Sequence, residues 1–171
     1  MSAEFVGNPE LNPERTFQSD LWIEGTYPGF SVSVDAFLRR VDQYITLIPT
    51  NLPKRLPSSP NTVYAYRNGT ANFHGFEVTT ALQILPGLRW DEGLSYLWGQ
   101  DLTQHEPAIG ISPFRTDSRL RYNWARKGLY AEVNLHTAST QNRVAASRGE
   151  ATTPGYYTIG LHGGLDVTSS I

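Results

Sequence analysis

In the stretch FRTDSRLRYNW (114–124), side chains of two kinds alternate without a break. Phe114, Thr116, Ser118, Leu120, Tyr122 and Trp124 share one set of positions, and Arg115, Asp117, Arg119, Arg121 and Asn123 the other. Successive side chains of an extended strand point to opposite faces. A strand here therefore has one nearly apolar face and one strongly charged face, and any fold must place both.

The same period recurs along the chain. Phe17, Leu21, Ile23 and Tyr27 alternate with Gln18, Asp20, Glu24 and Thr26. Phe30, Val32, Val34, Ala36 and Leu38 oppose Ser31, Ser33, Asp35 and Arg39, and the phase slips near LRRV, which predicts a bulge there. Later strands set Phe76, Val78, Leu82 and Ile84 against Glu77, Thr79 and Gln83, and Leu88, Trp90, Leu94, Tyr96 and Trp98 against Arg89, Asp91 and Ser95, with Glu92 an exception. Leu129, Ala131, Val133 and Leu135 oppose Tyr130, Glu132, Asn134 and His136, and Tyr157, Ile159, Leu161, Leu165 and Val167 oppose Thr158, His162 and Asp166. About seven long strands are expected. Their connections alternate in length: YPG, PG and ARKG are tight, whereas 49–61, 99–113 and 138–154 are long and polar or Pro-rich. An antiparallel up-and-down meander with all long loops at one end follows.

Alternation alone does not say which face is inside. A soluble sandwich buries the apolar face and wets the other, whereas a membrane barrel turns the apolar face to lipid and the polar face to a wet lumen. Three features favour the barrel. The strands exceed the usual five or six residues and reach the roughly 9–11 that a tilted span needs. Aromatics sit near strand ends, at Tyr27, Trp90, Trp98, Trp124, Tyr130, Tyr156 and Tyr157, as in interfacial girdles. The third is the contrast of short turns and long loops. The alternative is a soluble β-sandwich or lipocalin-like barrel that binds carbohydrate or a small ligand.

Composition excludes other classes. The 171 residues include 14 basic and 16 acidic side chains without a like-charged block, which gives no support to nucleic-acid binding. There is no cysteine and the one methionine is Met1, so soft sulfur ligands are missing. No enzyme motif of the HExxH, GxSxG, P-loop or GxGxxG kind occurs, and no catalytic residue, cofactor or metal site is expected. NGT (68–70) and RGE (148–150) carry no signal at this level. The N-terminus lacks a basic region followed by an apolar core, so no signal peptide is expected in it.

GNPELNPERTFQSDLWIEG (7–25) resembles a segment of TonB-dependent outer-membrane receptors, which leads from an outer loop into a barrel strand. Further pieces follow in that family's order. FSVSVDAFLRRVDQYITLIP matches at Phe37, Asp42 and Ile45, and YRNGTANFHGFEV at Tyr66, Asn68, Ala71, Gly75 and Glu77. ISPFRTDSRLRYNW matches at Pro113 and Arg115, and TPGYYTIGLHGGLDV resembles a late strand, with Asp166. The resemblance spans about 7–166. It implies a 22-stranded, plugged transmembrane barrel that imports a siderophore-, haem-, cobalamin- or copper-type metal chelate. The implied setting is the outer membrane of a Gram-negative bacterium, with membrane lipid, the rest of the barrel, a plug and TonB (through the plug) as partners. No plug, TonB box or terminal strand is visible. Residues 1–171 are therefore expected to be one partial region from the C-terminal half of the barrel, inactive alone because its two sheet edges lack partners.

Candidate ligand contacts are His105 and Glu106 in the second long loop, Arg143 and Arg148 in the third, and His136 and His162 on the lumen face. For each, a plainer role as loop or wall polarity competes. His74 receives no side, because a bulge near Gly75 could reverse it.

Overall fold

The computed structural model describes residues 4–124 and 128–165. Nine strands form one sheet: β1 (Glu4–Val6), β2 (Arg15–Tyr27), β3 (Phe30–Thr50), β4 (Val63–Leu85), β5 (Leu88–Asp101), β6 (Glu106–Pro107), β7 (Arg115–Trp124), β8 (Leu129–Ala138) and β9 (Tyr156–Leu165). The long strands lie in the order β2-β3-β4-β5-β7-β8-β9, each antiparallel to its neighbours. This is the expected all-β meander. The Asp166 and Val167 positions and most of the ARKG turn lie outside the described residues. No helix among the described residues is long and apolar enough to cross a membrane, which says nothing of crossing by strands.

Cross-strand register sorts the side chains into two faces. One row reads Thr26, Ser31, Ala81, Asp91, Arg119, Asn134 and Gly160; the adjacent row on the opposite face reads Tyr27, Phe30, Leu82, Trp90, Leu120, Val133 and Leu161. The apolar face stays uncovered: Leu21 is 57% exposed, Leu120 43%, Val133 44% and Leu161 77%. The polar face curls into an open concavity of about 600 Å³, whose lining runs from Glu24 on β2 to His136 on β8. A sandwich would bury the apolar set under a second layer. Here a single sheet wraps its charged side inward, which overturns the soluble-sandwich alternative.

Two of the strand-end aromatics lie on the polar face, Tyr130 as its alternation with Leu129 and Ala131 requires. Tyr130 and Tyr156 pair within the polar rows, and Tyr130 lies under the Arg121 guanidinium at 3.9 Å. His74 lies on the apolar face, stacked on Trp98 at 4.6 Å, with no bulge beside it. The bulge of β3 falls at Gln43, slightly beyond LRRV, where the register shifts between Asp42 and Tyr44 and φ is 60°. It reverses the phase of β3, so Tyr44, Thr46 and Ile48 then share the polar face with Ala71 and Asp101.

β3 and β4 outgrow their neighbours at the loop end, as the register of β2 stops at Asp42 and that of β5 at Ala71. The exposed edge of this tall hairpin is partly covered by β1, which pairs parallel with Val63–Ala65. The segment 7–14 then straps across from β1 to β2. Asn8 donates to the Tyr66 carbonyl (3.2 Å), and Glu14 accepts from the Ile45 amide (2.7 Å). Asn68 donates to the carbonyls of Asn12 (3.0 Å) and Gln43 (2.7 Å) and accepts from the Asn12 amide (2.8 Å). The GNPELNPE stretch and Asn68 of NGT thus form one knot around the left-handed Gln43.

Candidate functional site

The polar face carries two zones at different heights. Nearest the short turns, charges pair along and across strands. Asp91 accepts from Arg89 (2.7 Å) and Arg119 (3.0 Å), and Glu132 from Arg121 (3.5 Å). Asp117 pairs with His136. Each pair keeps a partly solvated cationic partner, so each interaction contributes about 0–1 kcal/mol. The zone is a wetted, self-neutralised wall with little net field.

Toward the loops the wall turns aromatic. A second concavity of about 580 Å³ is lined by Trp22, Phe37, Phe73 and Leu97, with Asp35, Glu77 and Arg115 at its rim. Trp22 is 63% exposed although it points to the polar side. Phe37 lies across Gly75, where a Cβ would come within 2.9 Å of the ring, and Phe73 lies across Gly99 at 2.8 Å. The two glycines leave room for rings to lie flat on the sheet. Alternation assigns these aromatics to the polar face, and their even or odd position is the only signal for them in the sequence.

The loops above this zone fold together. Arg148, on a short 3-10 turn over Ala146–Arg148, has its side chain fully buried. It donates to Asp101 Oδ2 (2.8 Å), Thr46 Oγ1 (2.7 Å) and the Pro107 carbonyl, and its Nε lies 3.8 Å from Glu106 Oε2. Asp101 is itself fully buried and also accepts from the amides of Thr103 and Gln104, both at 3.0 Å. Glu106 accepts from Ser147 Oγ (2.7 Å), and Glu150 bridges the amides of Gly110 (2.9 Å) and Ala145 (2.8 Å). Ala108, Ile111 and Ala145 bury against this scaffold. Arg143 stacks 4.6 Å from Trp98 and donates to Gln100 Oε1 (2.9 Å), both of which belong to the apolar-face positions of β5.

Of the six expected site residues, Glu106 and Arg148 come together and the others are dispersed. Arg148 and Glu106 are engaged by internal partners, and Arg143 holds the loop to β5. His105 is exposed, with φ 56° in the turn that follows Asp101. His136 and His162 sit on the polar face as their phase requires, and His162 pairs in register with Glu132. Among the described residues no group of three or more His, Asp or Glu side chains is placed to hold a metal ion.

Comparison with known proteins places this arrangement. The family described as TonB dependent receptor-like β-barrel matches residues 2–170. Among curated protein sequences, none matches. Solved structures do. A structure described as copper transporter OprC superimposes with a TM-score of 0.81 at 19% identity over 94% of this chain and 24% of its own. The FrpB iron transporter from Neisseria meningitidis gives 0.67 at 13% identity over 96% and 25%. The pyoverdine receptor FpvA from Pseudomonas aeruginosa, bound to pyoverdine, gives 0.66 at 18% identity over 93% and 24%. The chain thus spans about a quarter of the length of these structures.

Proposed function

The chain belongs to the TonB-dependent receptor β-barrel family, and from that premise we propose that it forms part of the wall of an outer-membrane receptor importing a metal chelate. The observation that carries this reading is the inverted sheet, with its apolar side chains uncovered and its charged side chains in the concavity. Only a non-aqueous surrounding makes an exposed belt containing Leu21, Leu120, Val133 and Leu161 favourable, and only a closed barrel satisfies strand edges in that surrounding.

In this reading residues 1–171 are one partial barrel region of a 22-stranded barrel. β2 and β9 pair with neighbouring strands of the same barrel, and the charged wall faces a plug that couples to TonB. The paired Arg and Asp groups supply hydrogen bonds to the plug without trapping a charged ligand. The aromatic zone and the three long loops line the outer approach. His105, exposed in the second loop, and His136 and His162 on the wall are the expected side chains still accessible to a passing chelate. The chelate is of siderophore, haem, cobalamin or copper type, and the absence of cysteine and of any methionine beyond Met1 disfavours a soft copper(I) site on this segment.

The test is uptake by cells with and without this chain, supplied in parallel with radiolabelled ferric siderophores, haem, cobalamin and copper. Loss of energy-dependent uptake of one chelate on deletion supports the proposal. Unchanged uptake of all four, with the chain absent from the outer-membrane fraction, refutes it.

A further inference from the structure

One carboxylate stands on the wrong face. Glu92 of β5 belongs to the apolar rows: in register it lies between Thr80 of β4 and Ser118 of β7. Its Oε2 accepts from Ser118 Oγ. None of the ion pairs among the described residues includes it. Thr80, Glu92 and Ser118 thus cut a polar notch into a face otherwise built of Val78, Leu82, Leu94, Leu120 and Val133.

The height of the notch matters. Trp90, 39% exposed, stands two residues nearer the short turn, and the Tyr122–Trp124 edge-to-face pair lies just beyond at 4.3 Å. In a barrel of this type such aromatics mark the periplasmic interface. A tilted strand places Glu92 roughly 5 Å above Trp90. That is inside the apolar belt yet within snorkelling reach of the headgroups. A carboxylate facing hydrocarbon without a cation is costly, and such residues generally mark a functional contact. Protonation or a cation from outside the protein relieves that cost, and the headgroups of the adjacent lipid leaflet supply such a cation. An ammonium headgroup provides charge and three donors. A phosphodiester with only hydroxyls brings a second negative charge to the carboxylate.

We propose that Thr80, Glu92 and Ser118 form a lipid site on the outer wall that takes the primary ammonium of an aminophospholipid of the periplasmic leaflet. The ammonium is held by the Glu92 carboxylate and by the hydroxyl oxygens on either side. This rests on the membrane-barrel reading and names a specific lipid class for one point of its surface.

The experiment uses the receptor that contains this chain, extracted from outer membranes in detergent, delipidated and titrated with phosphatidylethanolamine or phosphatidylglycerol, with bound lipids counted by native mass spectrometry. The expected result is one phosphatidylethanolamine retained at least fivefold more tightly than phosphatidylglycerol, with that preference lost in Glu92→Gln. Retention of the preference in Glu92→Gln, or equal binding of the two lipids by the unaltered chain, overturns the site while leaving the barrel intact. Binding of neither lipid overturns both. Gel mobility before and after heating confirms that the variant folds, and Ser118→Ala, which keeps the charge, serves as a second variant expected to reduce the preference only in part.

Discussion

Replacing Asn68 with alanine tests whether one side chain holds the outer strap. Its amide makes three hydrogen bonds: to the Asn12 carbonyl, to the Gln43 carbonyl and from the Asn12 amide. Net contributions run about 0.5–1.5 kcal/mol per bond. Asn68 is half-buried, so water recovers part of the loss, and a total of about 2 kcal/mol is expected. This falls on the local equilibrium that lifts 7–14 from the β3–β4 hairpin, not on the barrel as a whole. At about 1.4 kcal/mol per tenfold change, the open population rises roughly 30-fold. Hydrogen exchange at the Asn12 amide reads that population directly. The expected pattern is a rise of that order at Asn12 and Ile45, with amides of β7 and β8 unchanged. Asn68→Asp does at least as much damage, because it replaces two donations with carboxylate–carbonyl repulsion. A rise below about threefold at Asn12, or an equal rise across β7 and β8, refutes the knot as the local anchor.

Other outcomes follow from the same geometry. Gln43→Gly relieves a left-handed non-glycine residue and slows strap opening by an amount equivalent to about 1 kcal/mol, measured by the same exchange. Arg148→Met leaves the Asp101 carboxylate buried and unpaired, and costs about 3–5 kcal/mol of loop stability. Adding Asp101→Asn recovers much of that loss, as read by protease cleavage within 139–155. The Glu4 carboxylate is held below its ordinary value of 4.5, first by the Arg55 amide and then by the Leu56 amide. A depressed carboxylate stabilises above its unfolded pKa and loses that contribution as pH falls through the folded value. Exchange of the Arg55 and Leu56 amides is therefore flat from neutrality down to about pH 5 once corrected for intrinsic rates, and accelerates below it; Glu4→Gln removes the step.

The meander was legible because its signal is local. A period of two along Phe30–Leu38 or Arg115–Trp124 needs no knowledge of distant residues, and the short turns at Pro28-Gly29 and Pro86-Gly87 mark themselves. Which face is inside was also readable, from strand length and aromatic placement. The rest depends on contacts between residues far apart in the chain. β1 shows no periodicity in three residues and exists only because β5 ends early and leaves an edge of β4 open. Arg148 lies in a polar loop, and nothing near it in sequence announces that Thr46 and Asp101 wait across the sheet. NGT and RGE looked empty for the same reason, though Asn68 and Arg148 organise the loop end. Trp22, Phe37 and Phe73 had their face fixed by phase, but a role for aromatics on a wet wall appears only when Gly75 and Gly99 are seen beneath the rings.

In the proposed barrel the apolar face meets lipid and the charged face meets water. The chain contains no cysteine, so single Cys replacements report without background. Spin labels placed in turn along Ser118–Tyr122, Ala131–Leu135 and Thr158–His162 in a membrane-embedded sample measure accessibility to oxygen and to a water-soluble nickel chelate. The expected pattern has a period of two: high oxygen and low nickel access at Leu120, Val133, Ile159 and Leu161, and the reverse at Arg119, Glu132, Asn134 and His162. The opposite phase, or nickel access at every position, would contradict it.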